Sequence, residues 1–324
     1  MGYGSIDVKY TYDNLNRLKT ITDSYLNVTE YNYDLHNAEN NDMIEKRYAN
    51  GAVKQSVFDK ASRLIELSNQ RSNKTIISKY EYALDGLGNR SAEYNTAFTP
   101  LNPERKTDSK NYNIANQINN TGFSYDPLGN MTRQPGVEYS YKIDQKLEEV
   151  SVGNSKTSYK YDALGNRYEV NRDGVATTYL VDPNTSSVLM KKNNSGTKYF
   201  IYGHGLEYSI DSEGNEYYYH YDGTGNTVAI TDQDEEIVNL YAYSPYGEVL
   251  YSIETVPNSF KYVGKEGVMD DGNGLYYMRA RYYDPMLGRF ISADPIGHEG
   301  GLNLYAYAGN NPVMFVRIGL QVYA

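Results

Sequence analysis

The sequence predicts an all-β protein of stacked antiparallel β-hairpin repeats that form a curling sheet. Composition gives the first reason, because the 324 residues include 37 Tyr and 28 Gly but only 7 Phe and no Trp. The second is an aromatic-x-aromatic-Asp motif that recurs along the chain, at its closest about 20 residues apart. The third is that turn-forming residues follow the motif, as expected for many short strands joined by tight turns.

Each copy of the motif is expected to form one hairpin. The clear copies are Tyr10–Asp13, Tyr31–Asp34, Phe123–Asp126, Tyr159–Asp162 and Tyr219–Asp222. Alternate residues share one face of a strand, so the two aromatic rings point the same way. The Asp can accept hydrogen bonds from amides of the next turn, and Gly-Asn pairs at 129–130, 165–166 and 225–226 tolerate positive φ. A lone hairpin is barely stable, so the units must pack side by side. An ordinary β-sandwich rich in tyrosine is the alternative.

The charge and the rare residue types exclude several functions. A net charge of -10 argues against nucleic-acid binding, and the lack of Cys removes disulfides and thiolate metal sites. The four histidines show no ligand spacing, and the acidic clusters at 13–16 and 270–273 lack a complete calcium-loop pattern, so they are predicted to be turns. We therefore expect neither a metal nor a cofactor, since phosphate-loop and dinucleotide motifs are also absent. We expect no membrane span and see no signal peptide.

The C-terminal third carries a denser set of motifs than the repeats before it. The sequence therefore predicts two parts, a repeat segment at 1–215 and a C-terminal module at 216–324. Arg279 and Arg281 are predicted to lie on one face of a strand, and the many aromatic rings nearby invite cation–π packing, worth roughly 0.5–2 kcal/mol for each contact. The Asp-Pro steps at 284–285 and 294–295 are predicted to initiate turns. The motifs of this module are Tyr217–Asp232, Tyr241–Glu248, Gly274–Pro285, Gly288–Gly297, Gly300–Tyr307 and Asn310–Val313.

Taken in order, these motifs closely resemble the RHS-repeat-associated core. The upstream units resemble the YD repeats of the RHS family, which is related to the shells of the eukaryotic teneurins. The resemblance implies a hollow β-cocoon that encloses a C-terminal toxin or other cargo. It also implies a bacterial protein, secreted or at the cell surface, that works with a toxin domain, upstream shell repeats and secretion machinery. On this hypothesis the chain is a C-terminal fragment of an encapsulation shell or delivery scaffold for a polymorphic toxin, without the toxin domain.

The resemblance further implies an aspartyl-type self-cleaving element with two aspartates. One carboxylate would activate a water while the other donates a proton. Asp294 matches the first aspartate, and Arg289 is its expected electrostatic partner. The second aspartate is missing, because Arg317 and Ile318 occupy the place of the family's second Asp-Pro step. The cut would follow Leu320, leaving four residues, and we expect self-cleavage to be lost or very weak.

The alternative function is a surface module that binds carbohydrate or mediates adhesion. Tyrosine rings exposed along a repeat surface could stack on glycans. The two functions differ in where the rings point, because a wall buries them and a glycan-binding face exposes a row of them. A truncated gene remnant is a third interpretation, supported by the altered residues at 317–320.

Overall fold

A computed structural model describes residues 6–96, 109–318 and 321–323. Within these ranges the chain is almost entirely β-strand, and every described strand pair is antiparallel, which confirms the predicted all-β fold of hairpins. Packing divides the chain into two compact units. The first holds residues 1–101, 198–242 and 249–266, and the second holds residues 102–197, 243–248 and 267–324. The predicted boundary between residues 215 and 216 was drawn from motif density and stays a prediction.

In the first unit, strands that follow each other in sequence are also neighbours in space. Strands β1–β8 form one eight-stranded sheet, and β17–β22 follow the same sequential order. A short 3-10 helix, Gly264–Glu266, follows β22. The strands of the first sheet are β1 Val8–Tyr12, β2 Leu18–Asp23, β3 Val28–His36, β4 Asp42–Arg47, β5 Val53–Phe58, β6 Leu64–Gln70, β7 Ile76–Leu84 and β8 Arg90–Asn95. The later strands are β17 Gly196–Gly203, β18 Gly205–Asp211, β19 Glu216–Tyr221, β20 Thr227–Thr231, β21 Ile237–Tyr243 and β22 Val249–Glu254.

In the second unit, β9–β16 continue the sequential hairpin order, and β23–β26 form a separate four-stranded sheet. Two 3-10 helices, Gly297–Gly300 and Ala308–Asn310, lie between this sheet and a final hairpin. The hairpin strands are β9 Ser124–Tyr125, β10 Met131–Gln134, β11 Val137–Tyr141, β12 Leu147–Val152, β13 Ser155–Tyr161, β14 Arg167–Arg172, β15 Val175–Val181 and β16 Val188–Asn193. The remaining strands are β23 Met269–Asp270, β24 Tyr276–Met278, β25 Arg281–Asp284, β26 Arg289–Phe290, β27 Val316–Ile318 and β28 Gln321–Tyr323.

The repeated Asp organises the turn that follows it. In the turn after β13, Asp162 Oδ1 accepts the amides of Leu164 at 2.9 Å and Asn166 at 2.8 Å. Gly165 has φ 88°, as the sequence predicted, and the Asn166 side chain donates back to Asp162 Oδ2. The ladder then shifts register, with Lys160 opposite Glu169 but Tyr161 opposite Arg167. The motif therefore encodes a turn and the β-bulge beside it.

Tyrosine builds the core of the first unit because its hydroxyl finds a partner there. Tyr48 packs edge-on against Tyr218, with ring centroids 6.0 Å apart, and donates its hydroxyl to the carbonyl of Tyr219 at 2.7 Å. Tyr208 stacks on Tyr218 and donates to Asp23 Oδ2 at 2.9 Å. The rings come from β4–β5 and from β18–β19, so the cluster joins the strands of the two sheets. Buried phenols that are hydrogen-bonded avoid the desolvation cost of an unpaired hydroxyl.

The described part of the chain has two further properties that bear on function. It holds no helix long and apolar enough to cross a membrane. It also holds no group of three or more acidic or histidine side chains placed to hold a metal ion.

Candidate functional site

The sequence-predicted site lies around β23–β26 in the second unit. Tyr276 is opposite Tyr283 and Tyr277 opposite Tyr282, and all side chains of β24 and β25 are buried. A strand buried on both faces normally carries apolar residues. Here β25 instead contains Arg281, whose charge must therefore be satisfied inside the protein.

Asp294 is the partner of this buried arginine. Its Oδ2 lies 3.2 Å from an Arg281 guanidinium nitrogen, and the two side chains are only 2% and 1% exposed. The other oxygen, Oδ1, accepts the amide of Ile296 at 3.2 Å, and the Asp294 carbonyl accepts the amide of Gly297 at 2.9 Å. The Asp-Pro step thus initiates a turn, as predicted. The Asp294 carboxylate faces a guanidinium on one side and its own turn on the other.

Arg281 is held on three sides. Its guanidinium lies 3.6 Å from the centroid of the Phe290 ring and donates to the carbonyl of Leu304 at 3.1 Å, in addition to the contact with Asp294. The cation–π packing expected for this arginine is therefore present, but Arg279, expected on the same strand face, lies in the turn between β24 and β25 with φ 59°. Together these contacts tie β25 to β26 and to the segment near residue 304.

Arg289, the expected partner of Asp294, makes different described contacts. It donates to the carbonyl of Asn116 at 2.5 Å and lies over the rings of Tyr305 at 4.5 Å and Tyr112 at 5.2 Å. Burial lowers the pKa of Arg289. The ion pair of Asp294 is with Arg281, which the sequence had marked only for ring packing. Arg289 instead fastens residues 112–116 and the loop at 305 to β26.

The second half of the expected cleavage element is only partly described. Arg317 lies in β27, which pairs with β28, and Arg317 is opposite Val322. The position of its side chain is not among the described features, and Leu320 lies outside the described residues. The roles of both residues therefore stay predictions.

Asp284 is a second buried carboxylate of this module, and the sequence marked it only as a turn initiator. Its Oδ1 accepts the amides of Met286 at 2.8 Å and Leu287 at 3.0 Å, which confirms the turn. Its Oδ2 accepts a hydrogen bond from Gln134 Nε2 at 3.0 Å. Burial raises the pKa of Asp284. Both carboxylate oxygens are thus used to fix the chain.

Sequence reasoning missed a buried ion pair between Arg167 and Asp271. The guanidinium contacts Asp271 Oδ2 at 2.5 Å, with the two side chains 0% and 3% exposed. It also donates to the Tyr282 hydroxyl at 3.1 Å and lies 4.0 Å from the ring centroid of Tyr277. The sequence had assigned Asp271 to a turn. The tyrosines close in sequence to Arg167, at the start of β14, could have indicated that this arginine is buried.

The exposure of the tyrosines separates the two functions considered above. Among the described residues, eighteen tyrosines are buried and six are exposed. The exposed ones are Tyr10, Tyr12, Tyr25, Tyr94, Tyr112 and Tyr168. Only Tyr10 and Tyr12 are two apart on one strand, and Tyr10 uses its hydroxyl to bond the carbonyl of Tyr202 at 3.0 Å. Most rings therefore serve internal packing.

Comparison with known proteins identifies relatives of this chain. It is 36% identical over 252 residues to the tRNA3(Ser)-specific nuclease WapA of Bacillus spizizenii, which covers 73% of this chain and 10% of that protein. It is 27% identical to the double-stranded DNA deaminase toxin A of Burkholderia cenocepacia, covering 80% of this chain and 20% of the toxin. Toxin subunit YenC1 of Yersinia entomophaga is 24% identical over 95% of this chain and 36% of the subunit. The chain thus spans between a tenth and about a third of the length of these relatives.

Solved structures and family models agree on the fold. The crystal structure of TcdB2-TccC3 matches 97% of this chain and 22% of its own with a TM-score of 0.68, at 17% identity. The model of the teneurin YD-shell matches residues 53–313. This match covers most of the chain, both the degenerate repeats and the C-terminal module in which Asp294 lies. The chain therefore belongs to the teneurin YD-shell family, as the resemblance of its repeats had predicted.

Proposed function

We propose that this chain is wall material of a shell that encloses a toxin or similar cargo. The burial of eighteen tyrosines, most of them on antiparallel strands, carries the proposal, because these rings pack inside the protein and are not available to a ligand. Relatives named as nucleases, a deaminase toxin and a toxin subunit share this segment, although their named activities differ. A segment common to proteins of different activities fits a delivery scaffold better than an active domain.

The proposal extends to location and partners. A shell of this family would act outside the producing bacterium, and its partners would be a cargo segment, further shell repeats and a secretion system. A carbohydrate-binding role receives less support, since the described exposed rings are few and, apart from Tyr10 and Tyr12 on β1, lie on different elements.

Tyrosine nitration combined with a glycan titration tests this assignment. Mapping of nitrated peptides should find Tyr12 and Tyr94 modified in the folded protein, and Tyr218 and Tyr283 modified only after unfolding. Glycans should neither protect the exposed rings nor change the tyrosine fluorescence of the chain. Protection of Tyr12 and Tyr94 by a glycan would favour the binding module and contradict the wall.

We also propose that the chain does not cleave itself. The support for this is that Arg317 stands where the family has its second aspartate. A cation cannot serve as the general base that a second carboxylate would supply.

Intact-mass measurement after prolonged incubation tests this second proposal. The native chain should keep its full mass, while a double variant Arg317→Asp with Ile318→Pro, which restores the Asp-Pro step, should lose the last four residues. Asp294→Asn in the double variant is the control and should abolish the cut. Loss of those residues from the native chain, but not from its Asp294→Asn variant, would contradict the proposal.

A further inference from the structure

A cavity of about 280 Å³ in the first unit collects more positive than negative charge. Its charged and titratable lining includes Lys46 on β4, Lys54 on β5, Lys265 on the 3-10 helix, Glu207 on β18 and His204 just before β18. Liquid water occupies roughly 30 Å³ per molecule, so the cavity has room for a small ion and several waters. None of these residues lies on β23–β26, the strands around which the Asp294 site is built.

The single carboxylate of the cavity is already satisfied. Glu207 Oε1 accepts the Tyr31 hydroxyl at 2.5 Å, and its Oε2 accepts the ammonium group of Lys46. The two side chains of this ion pair are only 1% and 9% exposed, and Lys46 also lies over the Tyr48 ring. Glu207 and Lys46 therefore neutralise each other, which leaves the other lysines without a carboxylate inside the cavity.

Lys54 and Lys265 are the lysines left over. Lys54 is half-buried and has no hydrogen-bond or ion-pair partner among the described residues. Among the described residues Lys265 forms an ion pair only with its neighbour Glu266, at 3.3 Å and with about a third of each side chain exposed, an arrangement that contributes little. Burial, followed by the charges of Lys46 and Lys265, lowers the pKa of Lys54 to about 7, against the attraction of Glu207 and Asp222.

His204 completes the polar lining without adding charge. Partial burial lowers the pKa of His204, so its imidazole is neutral at pH 7. Its Nε2 lies 3.2 Å from the Tyr33 hydroxyl, and its amide donates to the Tyr31 hydroxyl at 3.3 Å. Both groups line the cavity, but the Tyr33 hydroxyl donates its one proton to the carbonyl of Leu18 at 2.9 Å, so the donors available to an anion are the ammonium groups.

We propose that this cavity binds a small oxyanion, such as sulfate or the phosphate group of an ester, between Lys54 and Lys265. An ammonium group that is half-buried beside two others and without a partner costs free energy, and an anion removes that cost. Binding couples to proton uptake, because an adjacent negative charge favours the protonated form of Lys54. Affinity therefore rises as the pH falls through 7.

Site-resolved acetylation of the full chain tests the proposal with inorganic sulfate as the probe, since sulfate does not titrate in this range. The acetylation rate of each lysine is measured by peptide mass spectrometry, in sulfate and in chloride at equal ionic strength. Lys54 should acetylate readily at pH 7, because its pKa is lowered to about 7, and the exposed Lys9 serves as the internal reference. Sulfate at twice its dissociation constant should slow Lys54 about threefold and leave Lys9 unchanged.

Two further arms make the outcome decisive. In sulfate the pH profile of Lys54 acetylation should move to higher pH, and in the Lys265→Met variant the protection should require more sulfate. The matched control, Lys9→Met, should leave both unchanged. Protection that is absent, or equal at Lys54 and Lys9, overturns the proposal. If Lys265→Met fails to fold, the shift of the pH profile in the native chain decides the question alone.

Discussion

Replacing Arg167 with methionine removes the cation of the buried pair with Asp271 while keeping most of the side-chain volume. The carboxylate then stays in a site where it is 3% exposed and has lost its counter-ion. Breaking a buried pair in this way costs about 3–5 kcal/mol of unfolding free energy. The guanidinium contacts with the Tyr282 hydroxyl and the Tyr277 ring are lost as well and belong to the same cost.

The double variant Arg167→Met with Asp271→Leu distinguishes the free energy lost by breaking the ion pair from the free energy lost by changing the packing. It removes both charges, so its stability should return to within about 1 kcal/mol of the native chain or exceed it. The cost of the single variant should also shrink as the pH falls to about 4. Burial raises the pKa of Asp271, and replacing Arg167 removes the charge and the hydrogen bond that oppose this rise most strongly. A carboxyl whose folded pKa is raised destabilises the fold only above its unfolded pKa of about 3.9.

Urea unfolding followed by tyrosine fluorescence measures these differences, since the chain has 37 Tyr and no Trp. Arg17→Met is the matched control, because Arg17 pairs with Asp13 and Asp34 at the surface and its loss should matter far less. If Arg167→Met costs less than about 1 kcal/mol, or if the double variant is no more stable than the single one, the reasoning on the buried pair is refuted.

Two further predictions concern a turn and a lysine. Gly88→Ala should destabilise the chain by roughly 1–2 kcal/mol because Gly88 has φ 88°, whereas Gly86→Ala, in the same turn with open space around it and no positive φ, should be neutral or stabilising in the same urea assay. Equal effects of the two changes would contradict the turn assignment. Lys54 has a folded pKa of about 7, below its unfolded value, so the unfolded chain binds more protons between pH 7 and about 10. The free energy of unfolding should therefore rise with pH across that window in the native chain and rise less in Lys54→Met. Thermal unfolding at a series of pH values measures this dependence. If stability depends on pH equally in the two proteins, the Lys54 ammonium group is not desolvated.

Local features of the fold were predictable from the sequence because they depend on neighbouring residues. Asp162 and Gly165 define a turn within five residues, and the positive φ of Gly165 follows from its place there. The alternation of Tyr159 and Tyr161 likewise predicts one shared strand face.

Long-range pairings were not predictable in the same way. Arg167 and Asp271 are 104 residues apart, and Lys46 and Glu207 are 161 residues apart. The residues adjacent in sequence do not indicate which partner each side chain will have, because each contact forms only when separate sheets pack together. For the same reason the sequence could propose Asp294 as a site residue but gave it Arg289 as its neighbour, where packing places Arg281.

The central claim is that this chain is the wall of an enclosure. The most direct test is whether a peptide fused after the chain is protected from a protease. A short unstructured peptide with one protease site would be fused after Ala324 and, in a matched control, before Met1. The account predicts that the peptide after Ala324 is cut more slowly in the folded chain and that the two rates become equal once the chain is unfolded. Equal rates at the two ends of the folded chain would contradict enclosure.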